Sequence, residues 1–129
     1  PAYVWEKGNR MEPIQLPLKG KHLLVVVPTF PISTREAYQR VMPSRTRKSL
    51  KERIREAPLG NWSQQIQNDF EAGLLEEFDE LREIKNLLYE KGAVYASLSG
   101  SGSSMYGIFD EKPEPGGDFS SCFVWSGRI

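Results

Sequence analysis

The feature that most constrains the fold is a run of apolar residues, spaced three and four apart, in the second half of the chain. This spacing puts all of them on one side of a 3.6-residue helix, so it predicts an amphipathic helix that must pack on an apolar surface. Lys91 and Gly92 mark its end, because a cation suits a helix C-terminus and glycine accepts positive φ. The apolar residues are Leu74, Leu75, Phe78, Leu81, Ile84, Leu87 and Leu88.

Several short segments have the composition of the strands that would cover this helix. Residues 22–27, HLLVVV, form the continuous apolar run of a central strand. Residues 93–98 and 105–109 predict two more strands, and FSSCFVW at 119–125 predicts a closing strand or a short helix. We therefore expect an α+β fold: a mostly antiparallel sheet with helices on one face, in a ferredoxin-like arrangement.

The first half of the chain predicts smaller elements. Residues 2–6 and 11–16 alternate around a turn-rich stretch, which predicts a hairpin. We expect the chain to be a piece of a longer protein, in which residues 1–16 lead in from a preceding domain. Residues 33–41 predict a short helix. Residues 43–60 are basic and flanked by prolines, and Ser49 is placed to cap one or two helical turns.

Composition excludes several classes of protein. Seventeen lysines and arginines balance seventeen aspartates and glutamates, which argues against a nucleic-acid binder. No apolar run approaches the roughly 20 residues that cross a bilayer, so we expect no membrane association. A single cysteine, Cys122, cannot form an internal disulfide, which favours the cytoplasm. With one histidine, His22, the chain has no zinc signature, and we interpret both residues as structural.

The segment SLSGSGSSMYGIF, residues 97–109, contains the one loop whose composition suggests a ligand. It is not a Rossmann loop, because Met105 stands where glycine or alanine is required and a strand follows instead of a helix. It is not a Walker loop, because no lysine lies between Lys91 and Lys112. Two interpretations remain: a hairpin loop that needs positive φ, or a loop whose N–H groups and hydroxyls hold an anion.

The residues around this loop resemble a known family. GAVYASLSGSGSSMYGIF, residues 92–109, resembles the third conserved motif of the GHMP kinases, which are small-molecule kinases. The upstream NDFE, residues 68–71, and the helix FDELREIKNLLYEKG are similar to the segments that precede this motif. The opening 28 residues are similar to the passage into the C-terminal domain. The resemblance implies that residues 1–129 are the substrate-side, C-terminal domain of such a kinase.

The resemblance also implies a reaction. It is the transfer of the γ-phosphoryl group of ATP, with Mg²⁺, to the 2-hydroxyl of a substrate that carries cytidine diphosphate, in non-mevalonate isoprenoid biosynthesis. The phosphate loop and the catalytic lysine and aspartate of the family have no counterpart in this chain. We therefore expect no catalytic residue, no metal site and no bound cofactor here, and no activity without the N-terminal kinase domain of the same protein.

Two groups of residues match functional positions of the family. Thr34 and Tyr38 match a threonine and an aromatic ring on the cytosine side of the substrate, and their spacing of four places them on one helix face. Arg35 departs from the proline common in relatives. The loop residues match the third motif, where Ser101 is the hydroxyl we expect to contribute. These loop residues are Ser99, Gly100, Ser101, Gly102 and Ser103.

Three interpretations of function stay open from the residues alone. The first is the kinase half that the resemblance implies. The second is a free-standing ferredoxin-like module that binds a small regulatory ligand at the glycine loop. The third is an interaction domain that uses the basic residues 45–55. Otherwise, residues 43–60 form a solvated helix face or a patch that faces a phosphate.

Overall fold

A four-stranded antiparallel sheet organises the protein in the computed structural model, which describes residues 1–41, 49–114 and 116–129. A separate two-stranded hairpin precedes this sheet, and five α-helices and one 3₁₀ turn complete the described part. The strands are β1 (Ala2–Trp5), β2 (Arg10–Pro13), β3 (His22–Pro28), β4 (Tyr95–Leu98), β5 (Met105–Phe109) and β6 (Cys122–Arg128). The helices are α1 (Thr34–Arg40), α2 (Leu50–Glu56), α3 (Trp62–Gln65), α4 (Glu71–Glu77) and α5 (Asp79–Glu90), with the 3₁₀ turn at Leu59–Asn61.

The strand order confirms the predicted fold class. Along the sheet the strands follow the order β4, β5, β3, β6, and every neighbouring pair is antiparallel. The strand predicted to be central, β3, does lie between two others, and β6 resolves the choice between a closing strand and a helix. This order is that of a split βαβ, ferredoxin-like sheet. The described residues between β5 and β6 contain no helix.

Helices cover the sheet on both faces, which corrects the expectation that they lie on one. Successive strand residues point to opposite faces, and in β4 Ala96 packs in the cluster with α4 and α5 whereas Tyr95 packs in a second cluster. That second cluster contains Ala57, Leu59 and Trp62, so the segment after α2 lies on the opposite face. Charge and proline content made this segment resemble a solvated region, although its apolar residues are buried.

The amphipathic helix is interrupted at Phe78, so the single helix predicted for residues 74–88 is wrong in that respect. Phe78 has φ −108° and ψ 96°, which ends α4 and starts α5. Its ring stacks on Phe30, with centroids 5.6 Å apart. The break keeps the spacing of the apolar residues, which is why periodicity did not reveal it. Leu74, Leu81 and Leu88 are fully buried, as the stripe predicted.

The smaller predicted elements are present. The N-terminal hairpin pairs Ala2 with Pro13, and an ion pair between Glu12 and Lys51 joins it to α2. Ser49 forms a capping box with Glu52 at the start of α2. Residues 43–48 of the basic stretch lie outside the described residues. Within the described ranges, no helix has the length and apolar character needed to span a bilayer.

Candidate functional site

The glycine loop between β4 and β5 is closed by its own backbone. The N–H of Ser99 donates to the carbonyl of Ser104 at 2.8 Å, and the N–H of Gly102 donates to the carbonyl of Ser99 at 3.1 Å. Gly102 has φ +89°, and a Cβ there would lie 3.3 Å from Cδ1 of Leu98 and 3.4 Å from Cδ1 of Ile32. Glycine is therefore required both by the backbone and by the packing beneath the loop.

The rim of the loop carries hydrogen-bond donors that its own closure does not use. The N–H groups of Gly100 and Ser101 have no acceptor among residues 1–41, 49–114 and 116–129. Gly100 has φ +59°, a conformation that turns successive N–H groups toward one side in anion-binding loops. The Ser101 hydroxyl lies 3.4 Å from the hydroxyl of Thr34, the first residue of α1. The loop can therefore offer N–H and O–H donors to an anion.

The start of α1 brings both predicted helix residues to the same region. Ser33 is the N-cap residue, and one turn separates Thr34 from Tyr38. Tyr38 is 67% exposed, and its ring meets Phe70 edge to face with centroids 5.0 Å apart. An exposed ring held by a second ring is a suitable platform for a flat heterocycle. Thr34 touches the glycine loop directly, whereas Tyr38 lies one turn further along α1.

A groove of about 660 Å³ lies between α1 and α4, next to this platform. It is lined by Arg40, Asn68, Gly73, Glu76 and Glu77, among others. The guanidinium of Arg40 is paired with Glu77, with Nη2 2.8 Å from Oε1, so its charge is already compensated. Arg40 therefore offers no uncompensated charge to a phosphate, which is better placed at the N–H donors of the loop.

Asn68 holds the loop through its side-chain amide, and the sequence did not assign it a role. Its side-chain amide donates to the carbonyl of Leu98 at 2.9 Å and to that of Gly100 at 2.8 Å. Its Oδ1 accepts from the N–H of Phe70 at 3.0 Å, which fixes the orientation of the amide. The spacing N-x-x-E of residues 68–71 resembles a helix capping box, but the N-cap residue of α4 is Phe70, which makes no side-chain cap. This spacing does not reveal contacts to a loop 30 residues away.

Glu71 supports the same strand end through a buried carboxylate, and it too was missed. The residue is 7% exposed, and its Oε1 accepts from the N–H of Leu98 at 3.1 Å. Its other oxygen lies 2.9 Å from the ammonium of Lys85 on α5. Both backbone groups of Leu98, the residue before the loop, are thus held by side chains of residues 68–71.

The remaining candidates are not part of this arrangement. His22 begins β3 opposite Phe109, at the end of β5 that lies away from the loop. Cys122 is half-buried at the start of β6, and β3 separates it from β5 and the loop. Within the described ranges, no three histidine, cysteine or acidic residues are grouped as a metal site would require.

Comparisons with known proteins agree on one family. The family described as GHMP kinases C terminal matches residues 46–116. A 4-diphosphocytidyl-2-C-methyl-D-erythritol kinase of Parabacteroides distasonis is 42% identical over all of this chain and 48% of its own length. The enzyme of the same name from Bacteroides thetaiotaomicron is 40% identical over all of this chain and 47% of its own length. The chain therefore spans about half the length of the curated relatives it matches.

Solved structures give the same picture. A crystal structure of 4-(cytidine 5'-diphospho)-2C-methyl-D-erythritol kinase superimposes with a TM-score of 0.71 and 25% identity, over 98% of this chain and 48% of that one. A homoserine kinase from Cytophaga hutchinsonii shares the fold, with a TM-score of 0.63 and 12% identity over 92% of this chain and 45% of that one.

Proposed function

This chain belongs to the GHMP kinases as their C-terminal domain, and from that premise we propose that it is the substrate-side half of a 4-diphosphocytidyl-2-C-methyl-D-erythritol kinase. The complete enzyme would transfer the γ-phosphoryl group of ATP to the 2-hydroxyl of that substrate. The observation that most supports this role is the contact of the glycine loop with α1, because it sets anion donors beside an exposed aromatic ring.

The residues of this chain would bind and orient the substrate. Tyr38 would stack on the cytosine, and the hydroxyl of Thr34 would hydrogen-bond to the same part of the substrate. Residues 99–103 would support the phosphate-bearing part, with the N–H groups of Gly100 and Ser101 and the Ser101 hydroxyl as donors. Holding the acceptor in one orientation is a large part of catalysis in phosphoryl transfer.

ATP and Mg²⁺ are assigned to the complete enzyme. The described residues contain N–H and O–H donors for a phosphate. The N-terminal kinase domain of the same protein would supply the phosphate loop and the catalytic groups, so we expect this chain alone to be inactive. Residues 1–16 would be the lead-in from that domain, and the enzyme would act in the cytoplasm.

A free-standing regulatory module is not favoured, since the matching relatives are kinases of about twice this length.

The aromatic platform is tested by Tyr38→Ala in the complete kinase. Stacking of a base on an aromatic ring contributes about 1–3 kcal/mol, so the KM for the cytidine-linked substrate should rise roughly 5- to 150-fold. Tyr38→Phe should stay near the wild type because it keeps the ring. Tyr3→Ala, on the separate hairpin, is the matched control. A wild-type enzyme that does not phosphorylate this substrate overturns the proposed function, and an unchanged KM in Tyr38→Ala overturns the role of the ring.

A further inference from the structure

Asn68 makes a set of hydrogen bonds that fixes more than the position of the loop. Its Nδ2 reaches the carbonyl oxygens of Leu98 and Gly100, at 2.9 and 2.8 Å, so both amide hydrogens are used. Its Oδ1 is held by the N–H of Phe70. Because each side of the amide has only one kind of partner, the side chain cannot rotate by half a turn without placing an oxygen against two carbonyl oxygens.

The bond to Gly100 determines which way the next N–H points. In a trans peptide the carbonyl and the following N–H lie on opposite sides, so a carbonyl held toward Asn68 directs the N–H of Ser101 away from it. Gly100 has φ +59°, and nothing lies within 4 Å of the place that a Cβ would occupy. Gly100 therefore has neither a side chain of its own nor close packing at that position to hold this peptide in place. The side chain of Asn68 supplies the constraint that glycine lacks.

We propose that Asn68 is a positioning residue that orients the Gly100–Ser101 peptide so that the Ser101 N–H faces the phosphate-bearing part of the substrate. This inference rests on the proposed function for its ligand class, an organic phosphate or diphosphate. If the peptide turned over, the Gly100 carbonyl would face the anion in place of a donor, which is repulsive. Asn68 acts through the loop, because both hydrogens of its amide and its Oδ1 are already bonded within the protein.

The test compares Asn68→Asp with Asn86→Asp in the complete kinase. Asn68→Asp keeps the shape of the side chain and the acceptor for the Phe70 N–H, but it sets a carboxylate against two carbonyl oxygens. Asn86 lies on the exposed side of α5, where the same substitution adds the same charge away from the loop. We expect the KM for the phosphate-bearing substrate to rise about tenfold or more in Asn68→Asp, and to stay unchanged in Asn86→Asp.

A spectroscopic readout separates orientation from stability. The amide ¹H and ¹⁵N resonances of Ser101 should move in Asn68→Asp and not in Asn86→Asp, below the unfolding temperature of each variant. Wild-type KM together with a wild-type Ser101 resonance in Asn68→Asp overturns the proposal. If Asn68→Asp does not fold, Asn68→Ser keeps one shorter donor and should give a smaller change in the same direction, and an unchanged KM and resonance there count equally against it.

The Ser101 amide resonance also distinguishes failure of the proposed kinase function from failure of the positioning role of Asn68. The Ser101 resonance reports on the peptide whether or not the enzyme turns over. An inactive wild-type enzyme whose Ser101 resonance still depends on Asn68 contradicts the proposed function alone. An active enzyme whose Ser101 resonance and KM are indifferent to Asn68 contradicts the positioning role alone.

Discussion

The hydroxyls of Thr34 and Ser101 lie 3.4 Å apart, although 67 residues separate them in the chain. Thr34 begins α1 and Ser101 lies at the tip of the glycine loop, so this contact joins the two parts of the candidate site. Asn68 donates to the carbonyl of Gly100 in the loop, and Glu71 accepts from the N–H of Leu98 at the end of β4. The site is therefore assembled from the glycine loop, the start of α1 and residues 68–71 at the start of α4.

Loss of either hydroxyl should affect substrate binding more than folding. Thr34→Val and Ser101→Ala each remove one partner of an exposed pair, so the free energy of unfolding should fall by less than about 1 kcal/mol. The KM for the substrate should rise roughly three- to tenfold in each variant. Thr29→Val, at an exposed threonine after β3, is the control. In a double-mutant cycle the two effects should not add, and full additivity in KM would show that the hydroxyls act separately.

Replacement of Gly102 should destabilise the domain. An added Cβ would crowd Leu98 and Ile32 at 3.3 and 3.4 Å, at a backbone with φ +89° that L-residues avoid. We expect Gly102→Ala to lower the free energy of unfolding by about 1–3 kcal/mol in urea titrations. Gly60→Ala is the matched control, because nothing lies within 4 Å of a Cβ there, and it should change stability by less than about 0.5 kcal/mol. Equal effects of the two substitutions would contradict this account.

Glu71 should be important for stability because its carboxylate has two partners. Glu71→Ala leaves the Leu98 N–H without an acceptor and Lys85 without its carboxylate, which should cost about 2–4 kcal/mol. Glu71→Gln keeps an acceptor for the N–H and should cost less. Glu76→Ala, on the exposed side of the same helix, should stay within about 0.5 kcal/mol. Chemical denaturation measures all three, and a loss in Glu76→Ala as large as in Glu71→Ala would rule out this explanation.

Two tyrosines on the second face of the sheet, Tyr95 and Tyr106, should make the stability of the protein decrease at alkaline pH. Burial, and then the neighbouring Tyr106, raise the pKa of Tyr95, whose hydroxyl donates to the carbonyl of Ile66 at 3.1 Å. Burial also raises the pKa of Tyr106. The unfolded chain loses these protons near pH ~10, before the folded protein does. The free energy of unfolding should therefore be fully retained below that pH and should decrease as pH rises beyond it.

Tyr95→Phe tests this dependence. The variant loses one hydrogen bond, about 1 kcal/mol at neutral pH, but it has one fewer proton to release on unfolding. Its stability should therefore fall less steeply than the wild type above pH ~10, and Tyr95→Phe combined with Tyr106→Phe should be flatter still. Urea titrations at several alkaline pH values measure the slopes. Parallel slopes in wild type and both variants would exclude these phenols as the cause.

Local patterns predicted most of the secondary structure, because each depends on residues close in sequence. The valine run predicted β3, Ser49 and Glu52 formed the capping box, and Gly92 takes φ +90° at the end of α5. The glycine loop was also located from composition and from its flanking strands. Composition left open whether this loop only connects two strands or also holds an anion. The structure adds that the loop is closed by the hydrogen bond from the Ser99 N–H to the Ser104 carbonyl.

The sequence by itself determined the α+β class, the strands, the amphipathic stripe and the family. Only the tertiary structure decided that the helix carrying this stripe breaks at Phe78, whose ring stacks on Phe30. It also decided that residues 57–62 bury their apolar side chains on the second face of the sheet. It alone joined Asn68 to Gly100. The physical reason is the same in each case: periodicity and capping report the energies of neighbouring residues, whereas these features depend on partners that folding brings together from 30 or more residues away.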